Sequence, residues 1–510
     1  MENSALQIIR PLSDLEKAYV ISHNMDYFTN ICTTVRYQCK NLFPSTSMKT
    51  LVELKANIKK RLLPVIYRVL AEFIPGEPAL SIGIKNSKAP QPCFVHIPTI
   101  DLSQQIRFII ILSDEDLERI LEIEHEKPFD LSSETAPLWR MTVAVHSKRN
   151  DELSILFCCH HCLMDIPSFL TINTLFYNAL KKVMHDLSID NASGSNNTRN
   201  PVAHGNIDYN LLGNVSSTVN VPYAQIFEPW DKIIDVTPSI KLLVTESLKT
   251  LHSSLTKSRS KYYAGDFYAT NINIKDFRVK LKIMSLDPDE FKSLLLISKQ
   301  QNSTIHAIIH TALLISARHS LVDLDRDKKL STLTPISIRP YAYPPINNTA
   351  VGLYVTTYNF MIPVTSLKLG FWDITKTYES ELAKNLQRTI QRTGLQRCAY
   401  SYKNQVKVNS MRREASLLVS NADVWMPFER NKPVDEKVKI LEMLTSQSTA
   451  AIGPVVTVNI ATYDNILKCT FVHQEGAIRP KKKLIEFIHG FKKILAVVSK
   501  KGDWNDIVNY

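Results

Sequence analysis

Residues 153–165 read Leu-Ser-Ile-Leu-Phe-Cys-Cys-His-His-Cys-Leu-Met-Asp, an apolar run that ends on two adjacent histidines and an aspartate. Positions 153–159 carry almost no polar side chains, which is typical of a strand buried on both faces. A histidine at the end of such a strand is held by a rigid element and can still open onto a cleft. Because the scaffold then sets both its position and its pKa, this stretch is suited to provide a general base.

The overall composition indicates an ordinary soluble globular protein. The chain has 510 residues, of which 44% are hydrophobic and 22% charged, and this length predicts two domains. It contains no apolar run of about 18 residues that could span a membrane. The first residues, Met-Glu-Asn-Ser-Ala-Leu, lack a basic segment followed by an apolar one, so we expect no secretory signal and a cytoplasmic location.

The formal charge of +12 does not indicate a nucleic-acid partner, because lysines and arginines are scattered and aromatic residues do not interleave with basic clusters. Weak attraction to an anionic membrane surface or an anionic cofactor explains the excess equally well. The eight cysteines lie mostly inside apolar runs. This pattern predicts reduced, buried thiols in an intracellular protein and no disulfide framework.

Strand and helix patterns occur in both halves of the chain and alternate irregularly, which predicts an α/β fold with mixed sheets flanked by helices. Residues 188 to about 206 are rich in Asn, Ser and Gly without periodicity. We therefore divide the chain into an N-terminal lobe of residues 1–187, a linker or mobile loop of residues 188–230, and a C-terminal lobe of residues 231–510.

Several local signals define individual elements. Ser13 and Glu16 form a predicted capping box at the start of a helix, and residues 49–73 predict a longer helix that Pro64 kinks or interrupts. Residues 114–126 are interpreted as a polar helix or an acidic connection. The strand at 153–159 is expected to pair as a hairpin with one at 137–145.

His161-Cys-Leu-Met-Asp165 resembles the HxxxD motif of the CoA-dependent acyltransferase superfamily. That superfamily includes chloramphenicol acetyltransferase, the plant BAHD acyltransferases, the carnitine acyltransferases and peptide-synthetase condensation domains. Within the superfamily, the chain more closely resembles the fungal alcohol acetyltransferases and the related yeast sphingoid-base N-acetyltransferase. Further matching segments occur in order along the chain: the helix of Leu12 to Tyr19, Pro137-Leu-Trp-Arg140, the capped helix from Ser303, Pro335-Ile-Ser-Ile-Arg339, Gly352 and Val419-Ser-Asn421.

The resemblance implies two chloramphenicol-acetyltransferase-like lobes around a tunnel, with His161 at its middle. Acetyl-CoA would enter from one side as co-substrate and the acceptor from the other, and His161 would act as general base in a direct attack. Asp165 would be a structural brace paired with an arginine, for which Arg339 is the candidate. The implied activity is O-acetylation of an alcohol. The alternatives are N-acetylation of a sphingoid base or similar long-chain amine, and a catalytically inactive relative that binds a ligand.

Other candidate residues keep alternative interpretations. Ser420 and Asn421 are either polar lining of the tunnel or hydrogen-bonding groups at a strand end. Ile166 stands where the family commonly has glycine, so the following turn must form without that residue's freedom.

Two further groups of residues could suggest a metal. Cys159-His-His-Cys162 looks like a zinc ligand set, but adjacent strand residues alternate faces, and we predict no metal. His306 and His310 are interpreted as members of a core helix.

The last helix, from Lys482 to Lys500, has an apolar side and many lysines. It either docks on the second lobe or lies on a membrane, and the resemblance keeps peripheral contact with the endoplasmic reticulum or lipid droplets open. We expect a monomer.

Overall fold

The structure is a computed structural model that describes residues 6–25, 30–42, 50–149, 151–193, 214–226, 228–255, 262–266, 278–395, 413–427, 437–449 and 453–501. Residues 194–213 and 227 of the predicted linker, and Cys398, therefore lie outside the described residues. The strands, in chain order, are β1 Ile8–Pro11, β2 Ile31–Cys39, β3 Ile82–Lys85, β4 Cys93–His96, β5 Thr99–Asp101, β6 Ile106–Ile111, β7 Trp139–His146, β8 Glu152–Cys159, β9 Thr218–Asn220, β10 Val279–Leu286, β11 Lys329–Ser337, β12 Val355–Pro363, β13 Leu417–Val424, β14 Val438–Gln447, β15 Val456–Tyr463 and β16 Ile466–Gln474.

The helices lie on the faces and edges of the sheets. In chain order they are α1 Asp14–Asn24, α2 Leu51–Asn57, α3 Leu63–Phe73, α4 Leu102–Gln105, α5 Asp114–Glu126, α6 Ile166–Ser193, α7 Trp230–Ile233, α8 Ile240–Leu255, α9 Pro288–Gln300, α10 Ile305–Ser320, α11 Phe371–Thr393 and α12 Lys482–Lys501.

The first sheet has five strands in the order β14-β2-β8-β7-β6. The predicted hairpin is confirmed, because β7 pairs antiparallel with β8 from Trp139 opposite Cys159 to Val145 opposite Leu153. Strand β8 is flanked by β2 and β7 and is buried from Leu153 to Cys159. A strand that is covered on both faces and both edges gives the segment after it a fixed starting point.

The second sheet has six strands in the order β10-β16-β15-β13-β11-β12. Its central strands β11, β13 and β15 run parallel to one another, whereas the outer pairs are antiparallel. Mixed sheets of this kind, with helices packed against them, confirm the predicted α/β class. Two small antiparallel sheets, β1-β4-β3 and β5-β9, complete the fold.

Two predictions at helix termini can be compared with the structure. The capping box is confirmed: the Ser13 hydroxyl accepts from Glu16 N–H, and the Glu16 carboxylate accepts from Ser13 N–H. Before Pro64 the chain passes through a π-helical segment, Ile58–Leu62, and then resumes as α3. Proline has no N–H to donate to the preceding turn, which accounts for this interruption.

Strand β14 joins the two halves of the chain. It lies at residues 438–447 yet pairs antiparallel with β2 along nine registered residue pairs, from Val438 opposite Cys39 to Gln447 opposite Ile31. A strand from the C-terminal half therefore completes the sheet that holds β8. The division at residues 188–230 remains a prediction, and within that range β9 already pairs with β5.

Strand β10 is an edge strand of the second sheet, and glutamate side chains of helix α5 cover that edge. Glu126, Glu122 and Glu118 accept hydrogen bonds from the backbone N–H groups of Val279, Leu281 and Ile283 at 2.8, 3.0 and 2.9 Å. Three carboxylates four residues apart on one helix face match alternate N–H groups of β10. We call this set the glutamate ladder. It satisfies donors that would otherwise be left at a sheet edge.

We expect Glu122→Ala to lower the free energy of unfolding by about 1–2 kcal/mol, because Leu281 N–H loses its acceptor. Glu122→Gln keeps an acceptor oxygen and should cost less. Arg119→Ala, an exposed change on the same helix, provides the control for helix propensity. Denaturant unfolding followed by circular dichroism measures the three variants. Equal midpoints for Glu122→Ala and Arg119→Ala would show that the ladder does not stabilise the fold.

The terminal helix α12 packs against the second sheet's core. Its apolar residues are buried there: Leu484, Phe487, Ile488, Phe491, Ile494, Leu495 and Val498. The docking interpretation is thus confirmed, and this apolar stripe is not available to a membrane. Across the described residues, no helix is both long and apolar enough to cross one.

Candidate active site

The two histidines that follow β8 face opposite directions. His160 lies against His23 and Phe129, with ring centroids 4.7 and 6.1 Å away, and its Nδ1 accepts a hydrogen bond from Cys162 N–H at 3.1 Å. His161 instead packs against Tyr19 of α1, with centroids 4.4 Å apart, and lines a cavity. The two imidazole rings therefore contact different parts of the fold.

The hydrogen bond of His161 determines which ring nitrogen can act as a base. Its Nδ1 lies 3.0 Å from the carbonyl oxygen of Met164. A carbonyl can only accept, so Nδ1 carries the proton and Nε2 carries the lone pair. Burial lowers the pKa of His161 to about 4, although the Met164 carbonyl and Asp165 both act in the opposite direction. The imidazole is therefore neutral at physiological pH.

Asp165 forms a bidentate ion pair with Arg339. Its Oδ2 lies 2.6 Å from Arg339 Nη1, and its Oδ1 lies 2.8 Å from Nη2. Both side chains are buried, at 4% and 0% exposure. Tyr354 N–H also donates to Asp165 Oδ2 at 3.0 Å. The structure thus brings together the two residues that sequence reasoning paired, although Arg339 lies in a 3₁₀ turn, Arg339–Tyr341, just beyond β11.

Ser168 and Gly352 extend this contact. The Ser168 hydroxyl lies 2.7 Å from Asp165 Oδ1, 2.9 Å from Arg339 Nη2 and 2.8 Å from the Gly352 carbonyl. Asp165 N–H donates to the same carbonyl at 3.1 Å. A Cβ on Gly352 would lie 2.7 Å from the Tyr354 ring, so only glycine fits at this position.

The turn at Ile166 forms without glycine. Ile166 is the first residue of α6 and does not adopt a positive φ. Asp165 accepts from Ser168 N–H at 3.2 Å, as an N-cap side chain does. The departure from the family pattern therefore needs no special backbone conformation.

The cavity beside His161 has a volume of about 300 Å³ and is lined from both sheets. Ser420 and Asn421 are among its lining residues, and the Asn421 side chain also accepts from Asp423 N–H at 3.0 Å. Its other lining residues are Ile31, Asp165, Ile166, Pro167, His306, Thr334, Pro335, Ile336, Ser337, Val355, Leu382, Ala422, Asp423, Gln447 and Asn459.

A larger groove of about 510 Å³ lies between β12 and α11, away from His161. Its arginines, Arg388 and Arg392, lie 3.7 and 3.2 Å from the carboxylate of Glu246. Neither histidine nor cysteine lines it. The smaller cavity, with its buried neutral imidazole, is therefore the better candidate for the chemistry.

The described residues contain no group of three or more His, Cys, Asp or Glu side chains arranged to hold a metal ion. Cys159 and Cys162 are fully buried, and burial raises the pKa of both thiols well above the ordinary value. His310 is also fully buried, and burial lowers its pKa.

Sequence reasoning missed one contact of His161 and one residue of the cavity lining. Tyr19 was noted only as part of a helix, yet its ring packs on His161. His306 was interpreted as a core residue, yet it lines the cavity. Helical spacing places His306 and His310 on the same helix face, but it cannot show that His306 borders a cavity.

Comparisons with known proteins identify the family of this chain. The chain is 21% identical over 490 residues to crmB, a probable alcohol acetyltransferase of Aspergillus fumigatus, covering 91% of this chain and 94% of that protein. Its fold is similar to that of TRI3 trichothecene 15-O-acetyltransferase from Fusarium sporotrichioides, with a TM-score of 0.61, 13% identity, and coverage of 96% and 95%. It is also similar to the first condensation domain of the CDA synthetase, with a TM-score of 0.59, 12% identity, and coverage of 98% and 97%. Residues 114–495 match the model of the alcohol acetyltransferase family. The chain therefore belongs to this family and is an acyltransferase.

Proposed function

We propose that this protein transfers the acetyl group of acetyl-CoA to the hydroxyl of an alcohol, with His161 as general base. The observation that carries the proposal is the state of His161: a neutral imidazole in a cavity, with Nδ1–H donated to Met164 O and the lone pair on Nε2. A base of this kind can accept a proton from a bound substrate at Nε2.

In the proposed reaction the acceptor's oxygen attacks the thioester carbonyl while its proton passes to His161 Nε2. The tetrahedral intermediate then expels the CoA thiolate, which takes up this proton as thiol. The products are an acetate ester and free CoA, and no acyl-enzyme forms. Asp165 does not contact the reacting atoms. Its ion pair with Arg339 instead holds the turn that carries His161 and Met164.

The direct test incubates purified protein with acetyl-CoA and a panel of alcohols and long-chain amines. Acetylated products are detected by mass spectrometry, since the chain's own cysteines complicate a thiol reagent. Ester formation that depends on both protein and acetyl-CoA is the expected result. Hydrolysis of acetyl-CoA without any acetylated acceptor would contradict the proposal.

We expect the acid limb of the kcat/KM profile near pH 4 and a flat profile between about pH 5 and 8. The reason is that burial holds the pKa of His161 near 4, so the base stays deprotonated until the pH falls through that value. Initial rates are measured within seconds of a pH jump from pH 7. A limb near pH 6.5 would show a solvated histidine instead.

Brief assays are needed because the fold itself should lose stability in acid. Burial lowers the pKa of His125 to about 3 and those of His146 and His473 to about 4. The unfolded chain binds these protons near pH 6.5, so the free energy of unfolding decreases as pH falls from about 6.5 towards 4. Unfolding midpoints measured at several pH values test this slope.

A long-chain amine is the second candidate acceptor. Asp423 lines the cavity, and among the described residues no basic side chain pairs with it. A carboxylate in this position could hold an ammonium group near the reacting centre. The amines in the panel decide between the two acceptor classes.

A further inference from the structure

His306 reaches the cavity from the second lobe, opposite the element that carries His161. It lies in the first turn of α10, which Thr304 caps by accepting from Ala307 N–H. Glu379 of α11 fixes this turn, since its Oε1 accepts from Ser303 Oγ, Thr304 N and Thr304 Oγ1 at 3.0, 2.8 and 3.0 Å. His306 is thus held by two helices that are joined through their side chains.

Tyr378, the residue before Glu379, orients the His306 ring. The Tyr378 hydroxyl lies 3.0 Å from His306 Nε2 and 2.9 Å from Thr334 Oγ1. The Tyr378 ring is itself fixed by a stack on His310, with centroids 3.8 Å apart and planes at 20°. Tyr378 is fully buried, so this arrangement has little freedom to change.

The contact with Tyr378 favours one tautomer of His306. A phenol is a stronger acid than a neutral imidazole N–H, and an imidazole nitrogen is a stronger base than a phenolic oxygen. The preferred arrangement has Tyr378 O–H donating to Nε2, which places the His306 proton on Nδ1. Among the described residues Nδ1 has no hydrogen-bond partner. Burial lowers the pKa of His306 to about 4, so the ring is neutral.

The rest of the lining is mixed in polarity. Isoleucine, proline, valine and leucine side chains alternate with the polar groups of Thr334, Ser337, Ser420, Gln447 and Asn459. When an acceptor with a single hydroxyl binds, it displaces water from these polar groups. It cannot replace the hydrogen bonds that the water made with them, and this loss costs binding free energy. The volume of about 300 Å³ is within the usual range of small-molecule sites.

We propose that His306 is a specificity-determining residue whose Nδ1–H donates to a second oxygen of the acceptor. The enzyme then prefers alcohols that carry a carbonyl, ether or additional hydroxyl over monofunctional alcohols of the same skeleton. Tyr378 acts as a positioning residue that fixes the tautomer. The inference rests on the proposed function for its kinetic test but not for its binding test.

The kinetic test compares cyclohexanol with cyclohexanols that bear a ketone or hydroxyl at the 2-, 3- or 4-position. For wild type we expect kcat/KM to be about tenfold higher for at least one oxygenated member, which corresponds to one hydrogen bond. His306→Phe should reduce this ratio to near one. His306→Asn, whose amide N–H can replace Nδ1–H, should retain part of the preference. Tyr378→Phe, which keeps the stack but frees the tautomer, should lower the ratio. His319→Phe, an exposed change on the same helix, should leave it unchanged.

The binding test uses ¹⁵N-histidine spectra, in which the His306 signals are assigned by their absence from His306→Phe. We expect the Nδ1–H tautomer, and a shift of that nitrogen when at least one of the oxygenated cyclohexanols, each added in turn without acetyl-CoA, is present, but not when cyclohexanol is added. An Nε2–H tautomer, or a preference that survives in His306→Phe, overturns the inference. If no acceptor is acetylated while the shift occurs, the proposed function fails and the binding role stands.

Discussion

Replacing His161 with alanine is expected to lower kcat/KM for acetyl transfer by about 10²–10⁴-fold, the usual contribution of a positioned general base. The physical reason is that Nε2 carries the lone pair in the cavity while Nδ1–H is used by Met164 O. The fold should persist, because β8 and the Asp165–Arg339 pair do not depend on this ring. Steady-state kinetics with acetyl-CoA and the best acceptor measure the loss.

His160→Asn is the matched control for this experiment. His160 is adjacent in sequence, but it packs against His23 and Phe129 and accepts from Cys162 N–H. Asparagine keeps an acceptor for that N–H, so this variant should lose some stability and little activity per folded molecule. Equal losses of kcat/KM in the two variants, or full activity of His161→Ala, would contradict the assignment of His161.

The sequence alone was sufficient to predict strand β8 and to propose that Asp165 pairs with Arg339. A continuous apolar run can be recognised without knowledge of its neighbours. The strand motif that ends near Arg339 could be matched to the family, and the contact with Asp165 followed from that match.

The features that sequence reasoning missed all depend on contacts between distant segments. Strand β14 was not among the predicted strands, and no local signal assigns residues 438–447 to the sheet of β2 instead of the second sheet, which is nearer in sequence. The glutamate ladder of α5 was read as a polar helix or acidic connection, because its acceptors become structural only opposite β10. His306 reads as a core residue until Tyr378, 72 positions away, fixes its ring at the cavity.

Replacing Arg339 with methionine is expected to lower the free energy of unfolding by about 3–5 kcal/mol, the usual cost of breaking a buried ion pair. Methionine leaves the Asp165 carboxylate buried with only Ser168 and Tyr354 N–H as donors. Asp165→Asn, which leaves the guanidinium of Arg339 buried without its counter-ion, should cost a similar amount. Denaturant unfolding of the purified variants measures both changes.

The double variant Asp165→Asn with Arg339→Met separates the cost of an unpaired charge from that of lost packing. It buries no charge at this site, so it should be destabilised by less than the sum of the two single variants, with a coupling of about 1–3 kcal/mol. Arg388→Met provides the matched control, because its 3.7 Å pair with Glu246 is half exposed and should contribute less than about 1 kcal/mol. The pair would not be a brace if the loss of unfolding free energy in the double variant equalled the sum of the two single losses. An unfolding midpoint of Arg339→Met equal to that of Arg388→Met would show the same.

The same contact holds the turn before α6, so Arg339→Met should also impair catalysis. We expect it to lower kcat more than it raises KM, since a displaced His161 impairs proton transfer before it impairs binding.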